Sequence, residues 1–154
     1  MLFRSLANYQ PDSNRMNIVE LAAGGAVIDD TYNANPVSMI AALEVSKDIS
    51  RQRQTVAVLG DMLELGDYEQ EGHRLVGQAV AQLELDWLVT IGDRAAYIKH
   101  GALQNGMPVE RVIHFSDRDA SLSWLKENID QQSVVLFKAS RGMRLEELMR
   151  SWLQ

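Results

Sequence analysis

The segment Ile28-Asp29-Asp30-Thr31-Tyr32-Asn33-Ala34-Asn35-Pro36 constrains this chain more than any other. It closes an apolar run suited to a buried strand and sets two carboxylates at that strand's carboxyl end. Asn35-Pro36 then opens a helix, since Asn is a favoured cap and Pro is tolerated at the first helical position. In open α/β sheets such a strand-to-helix crossing is where ligands bind. Residues 29–35 carry two carboxylates and two carboxamides in seven positions, more polarity than a turn needs.

The rest of the chain repeats that alternation. Residues 16–21 read as a strand, and Ala22-Ala23-Gly24-Gly25 as a turn that returns the chain into a second strand over 26–30. Apolar runs at 55–59, 87–91, 112–115 and 133–137 follow as strands, the first suited to cover on both faces. Helical patterns lie between and after them: from Pro36 to about 50, about 67–85, 94–103, one ending near 128, and 145–153. In the 67–85 segment, Leu75, Val76, Ala79, Val80 and Leu83 share one face. Ser116 is the expected cap of the helix ending near 128, with Asp119 three positions on. The pattern predicts an α/β domain of Rossmann-like, three-layer form. Its sheet should hold about six strands, mostly parallel, with one antiparallel strand from the initial hairpin.

Composition narrows the function classes. A chain of 154 residues can bury one domain's core. Its net charge of −6, with no offsetting basic stripe, argues against nucleic acid as a partner. No cysteine is present, so neither a disulfide framework nor a thiolate zinc site can form. No apolar run reaches the roughly 18 residues that span a bilayer, and the first residues lack the form of a signal peptide. The expectation is a cytoplasmic chain without a membrane partner.

Three motifs carry a resemblance. Asp29 to Pro36, then Val58-Leu59-Gly60-Asp61-Met62-Leu63-Glu64-Leu65-Gly66, then Lys138-Ala139-Ser140-Arg141-Gly142 resemble, in order, the carboxyl-terminal domain of the Mur ligases. Within that family the wording is nearest to the branch that joins D-alanyl-D-alanine to UDP-N-acetylmuramoyl-tripeptide in peptidoglycan synthesis. The resemblance implies an ATP-dependent ligase with magnesium, whose ligands should lie mainly in other domains. It also implies that residues 1–15 are a linker from a central domain and residues 16–154 the carboxyl-terminal domain, the partners being the amino-terminal and central domains. No G-x-x-x-x-G-K-[ST] phosphate loop occurs in the chain, so no residue here is expected to catalyse ligation alone.

The residues suggest roles of their own. Asp30, just past a strand, could accept hydrogen bonds from ribose hydroxyls or satisfy a turn; the resemblance implies nucleotide contact. It is also expected to face solvent, so that its loss should cost activity more than stability. Asp29 reads as structural. Asn35 reads as the helix cap and Asn33 as a nucleotide contact, while Tyr32 could stack on a base or close the core edge. The resemblance brings Arg15 to the nucleotide, although Asn14 stands where the family has Gly. Asp61 and Glu64 could stabilise the amino end of the next helix; the resemblance sets their loop near the incoming dipeptide, whose ammonium an acid could hold or help deprotonate. Lys138, Ser140 and Arg141 suit a carboxylate or phosphate, and the resemblance sets them near the peptide substrates. Ala139 replaces a family Gly and would be strained if its φ had to be positive. His73 reads as packing or surface. The competing reading is a receiver-like phosphoacceptor of flavodoxin-like topology, since Asp29-Asp30, Asp61 and Lys138 imitate its acids and lysine.

Overall fold

The computed structural model describes residues 15–154. Six strands form one sheet in the order β1-β2-β6-β3-β4-β5. Strands β1 (Asn17–Glu20) and β2 (Ala26–Asp30) make the antiparallel hairpin. The others, β3 (Thr55–Gly60), β4 (Trp87–Ile91), β5 (Val112–Phe115) and β6 (Val134–Lys138), run parallel to β2. The expected architecture is thus observed, with one antiparallel strand from the initial hairpin.

Successive strand residues point to opposite faces, and both faces are covered. Ala26, Ile28, Ala57, Leu59, Leu88 and Leu136 pack under helices α1 (Pro36–Ser50), α2 (Glu69–Gln82) and α3 (Ala96–Gln104). Val27, Val56, Val58, Val89, Val135 and Phe137 pack under α4 (Arg118–Asn128) and α5 (Leu145–Leu153). Two-sided burial explains why β3 and β6 are apolar almost throughout rather than alternating.

Asn35 caps α1 as expected. Its side chain accepts from the Ser38 amide at 2.9 Å, and the Ser38 hydroxyl accepts from the Asn35 amide at 3.1 Å. The cap of α4 is a correction: Asp117, not Ser116, accepts from the Ala120 amide at 3.0 Å. Both residues are good caps and adjacent, and the carboxylate one position later takes the bond. Helix α2 also starts later than expected, after a single 3₁₀ turn at Gly66–Tyr68. Left-handed backbone at Glu64 (φ 67°) and Gly66 (φ 59°) bends the chain before it.

Candidate functional site

The carboxyl ends of β2, β6 and β3 lie side by side, and the candidate residues gather there. Asp30 and Lys138 are register partners across the β2–β6 pair. The Lys138 ammonium donates to Asp30 Oδ2 at 2.7 Å and to the Asn33 carbonyl at 2.9 Å. Asp30 Oδ1 accepts from the Met16 amide at 3.1 Å. The side chains are 3% and 12% exposed, which corrects the expectation that Asp30 faces solvent. Strand register brought the lysine onto it and drew both inward. A lone buried charge is costly, so each ion stabilises the other.

Above this pair, Arg15 lays its guanidinium over the Tyr32 ring, 3.9 Å from the centroid. Both residues are exposed, as is Asn33. Four of the predicted site residues, Arg15, Asp30, Tyr32 and Asn33, therefore share one loop cluster with Lys138. Asp29 does behave structurally: Thr31 donates to its Oδ1 through the hydroxyl at 2.7 Å and the amide at 3.3 Å. Burial pushes the Asp29 carboxyl above the usual carboxylate value, and the Thr31 bonds oppose that shift. Asn14 lies outside the described residues.

A second cluster sits on the loop after β3. Asp61 is buried, and its Oδ1 accepts from the Ala95 amide at 2.7 Å, at the threshold of α3. Arg94 lies 3.7 Å from its other oxygen. Burial raises the Asp61 pKa, offset by the Ala95 bond and by nearby His73 and Arg94. The carboxylate fits because residue 92 is glycine: a Cβ there would fall 2.4 Å from Asp61 Oδ1. So Asp61 supports α3, not the next helix, α2. Glu64 and Arg141 are exposed, and Arg141 pairs with Glu146 at 2.6 Å. Ser140 is buried and joins the loops: its hydroxyl accepts from the Leu63 amide at 2.8 Å, and its amide donates to the Asp61 carbonyl at 3.0 Å.

Ala139 needs no positive φ, so the strain feared for it is absent. Its methyl occupies space left by Gly60, where an added Cβ would come within 2.8 Å of it. Sequence reasoning missed Arg94 and Glu69, which pair at 2.5 Å beside Asp61. The Gly92-Asp93 break after an apolar strand was the available signal. Among the described residues no group of three or more His, Cys, Asp or Glu side chains could hold a metal ion. None of their helices is long and apolar enough to cross a membrane. A cavity of about 380 Å³ lies at the opposite edge of the sheet, lined by Gly24, Arg53, Asp130 and Gln132 among others, remote from these clusters.

Residues 14–141 match the family model described as "Mur ligase, glutamate ligase domain". The chain belongs to this Mur ligase domain family. It is 34% identical over 151 residues to the UDP-N-acetylmuramoyl-tripeptide–D-alanyl-D-alanine ligase of Bacillus subtilis (strain 168), covering 98% of this chain and 33% of that protein. Identity to the ligase of the same name from Escherichia coli (strain K12) is also 34%, over 95% of this chain and 31% of that one. MurF from Acinetobacter baumannii superposes with a TM-score of 0.76 at 31% identity, covering 96% of this chain and 32% of the other. MurF from Thermotoga maritima, solved in complex with ADP, superposes with a TM-score of 0.69 at 27% identity, over 96% of this chain and 32% of its own. The Mur ligase domain thus spans about a third of the length of the curated relatives it matches. The receiver-like alternative gains no support from these matches.

Proposed function

We propose that this Mur ligase domain is the closing domain of an ATP-dependent ligase that joins D-alanyl-D-alanine to UDP-N-acetylmuramoyl-tripeptide in the cytoplasm, preceded by amino-terminal and central domains. The observation that carries this reading is the gathering of Arg15, Tyr32, Asn33 and the Asp30–Lys138 pair at the carboxyl edge of the sheet. That is where α/β folds bind ligands, and relatives bearing this domain carry that ligase's name.

ATP would supply the phosphoryl group that activates the tripeptide carboxylate for attack by the dipeptide amine. The exposed groups fit a nucleotide: Arg15 offers planar donors for phosphate or ribose oxygens, and Tyr32 and Asn33 flank it. Asp30 keeps acceptor capacity toward ribose hydroxyls, while Lys138 holds the loop that presents Asn33. On the second loop, the exposed Glu64 would face the dipeptide ammonium with Arg141 near it, while buried Asp61 and Ser140 hold the loop in shape. Closure of this domain over the central one would orient the reactants and exclude water from a hydrolysable intermediate. Magnesium would accompany the ATP phosphates, with its ligands mainly in the preceding domains.

The test is reconstitution. The full-length ligase should release phosphate only with ATP, tripeptide substrate and D-alanyl-D-alanine together, and the 154-residue chain alone should release none. Tripeptide-dependent phosphate release from the 154-residue chain would overturn the reading.

A further inference from the structure

Two consecutive residues of α2 hold the loop that runs from β3 to α2. His73 is fully buried, with Nδ1 2.6 Å from the Glu69 carbonyl and Nε2 3.0 Å from the Met62 amide. A carbonyl only accepts and an amide only donates, so the ring is neutral, protonated on Nδ1, and accepts at Nε2. The next loop amide, Leu63, is taken by Ser140, so neighbouring peptide groups are pinned from two sides. Gly72 seats the far end of the loop. A Cβ there would lie 2.9 Å from Pro36 Cγ, 3.0 Å from Leu65 Cδ1 and 3.2 Å from Tyr68 Cε1.

A satisfied histidine inside a helix is usually a packing residue. Here its acceptor bond goes to the main chain of the β3–α2 loop, at Met62, whose side chain is in the core while its amide lies between Asp61 and Glu64. We propose that His73 is a positioning residue for the incoming dipeptide, fixing through the Met62 amide the loop that carries buried Asp61 and presents Glu64. This rests on the reading of that loop as a dipeptide site. Asp61, Glu69 and Arg94 are the charged groups near the ring, and burial keeps its pKa below the ordinary value despite both acids.

The experiment uses the full-length ligase with His73→Leu, His73→Gln and Gly72→Ala. Leucine fills the volume without accepting a bond, whereas the glutamine amide oxygen can accept from Met62. Expected are a rise of about tenfold in KM for D-alanyl-D-alanine with H73L, an ATP KM changed less than about twofold, and rescue by H73Q to within about threefold. Hydrogen exchange of the peptide covering residues 61–66 should accelerate in H73L and not in H73Q. If H73L does not fold, G72A carries the test: its methyl displaces Leu65 and Tyr68 and should raise the same KM. Unchanged exchange in H73L, equal kinetics of H73L and H73Q, or faster loop exchange with unchanged dipeptide KM would each overturn the proposal. Asp61→Asn and Glu64→Gln separate the two failures. If they raise the dipeptide KM while H73L does not, only the role of His73 fails. If none of them raises it, the loop is not the dipeptide site.

Discussion

Lys138 and Asp30 stand 108 positions apart in sequence, yet adjacent strands bring the ammonium to 2.7 Å from the carboxylate inside the domain. The pair ties β6 to the β2–α1 loop, because the same ammonium also holds the Asn33 carbonyl. Its members are therefore as much part of the fold as of the proposed nucleotide site.

Removing one partner should strand the other charge. Asp30→Ala and Lys138→Met should each destabilise the domain by about 3–5 kcal/mol, as broken buried pairs do. The double variant should cost less than the sum, since the residues are in contact. Urea unfolding of all three measures this. A single Asp30→Ala as stable as the parent would mean that the pair is not formed in solution.

Gly60 and Ala139 form a complementary couple. Gly60→Ala would force two methyls to within 2.8 Å and press on Met143 Cε, so it should cost about 1–3 kcal/mol as overpacking does. Ala139→Gly in the same molecule should recover most of that loss. Thermal melting of the two singles and the double gives the answer, and additive losses would refute the steric coupling.

Acid should weaken the domain through its histidines. Burial lowers the pKa of His73, and of His114, below the ordinary 6.5. The unfolded chain then binds protons at a higher pH than the folded one, so stability is full above 6.5 and falls as pH drops toward the depressed folded values. Asp29 and Asp61 act oppositely, because their raised folded pKa values add stability as pH falls toward 3.8. Unfolding free energies from neutral pH to about 5 should therefore decline, and His73→Gln should flatten part of that decline. A slope unchanged by H73Q would show that His73 is not held neutral.

The strands were legible because two-sided burial writes unbroken apolar runs, and β2, β4 and β5 have the expected bounds. The α4 cap was not, since Ser116 and Asp117 are both competent and only the geometry chooses. The loop after β2, proposed to meet the nucleotide, was legible as a cluster of polar residues after a strand. Its electrostatics were not: Asp30 meets Lys138 only through the β2–β6 neighbourhood, and strand order is not written in local pattern. His73 shows the same limit, because its partner at Met62 is 11 positions away across a loop whose left-handed turns gave no sign of where it would close.

Arg15 and Tyr32 allow the proposed site to be tested apart from stability. Both are exposed, and an exposed cation–π contact is worth only about 0.5–1 kcal/mol, so Arg15→Ala and Tyr32→Ala should barely move the melting temperature. In the full-length ligase, Arg15→Ala should remove a charge-assisted hydrogen bond worth about 1.5–3 kcal/mol, raising the KM for ATP or lowering turnover by roughly 10- to 100-fold. Arg15→Lys should recover only part, because an ammonium keeps the charge but neither stacks on the ring nor offers a planar fork. Tyr32→Ala should weaken the effect of Arg15→Ala in the double variant, since one side chain orients the other across 3.9 Å. The dipeptide KM should be unaffected by either change, which separates this cluster from the loop held by His73. Wild-type ATP kinetics in Arg15→Ala, or a loss of activity that merely follows a loss of folded protein, would remove Arg15 from the nucleotide site.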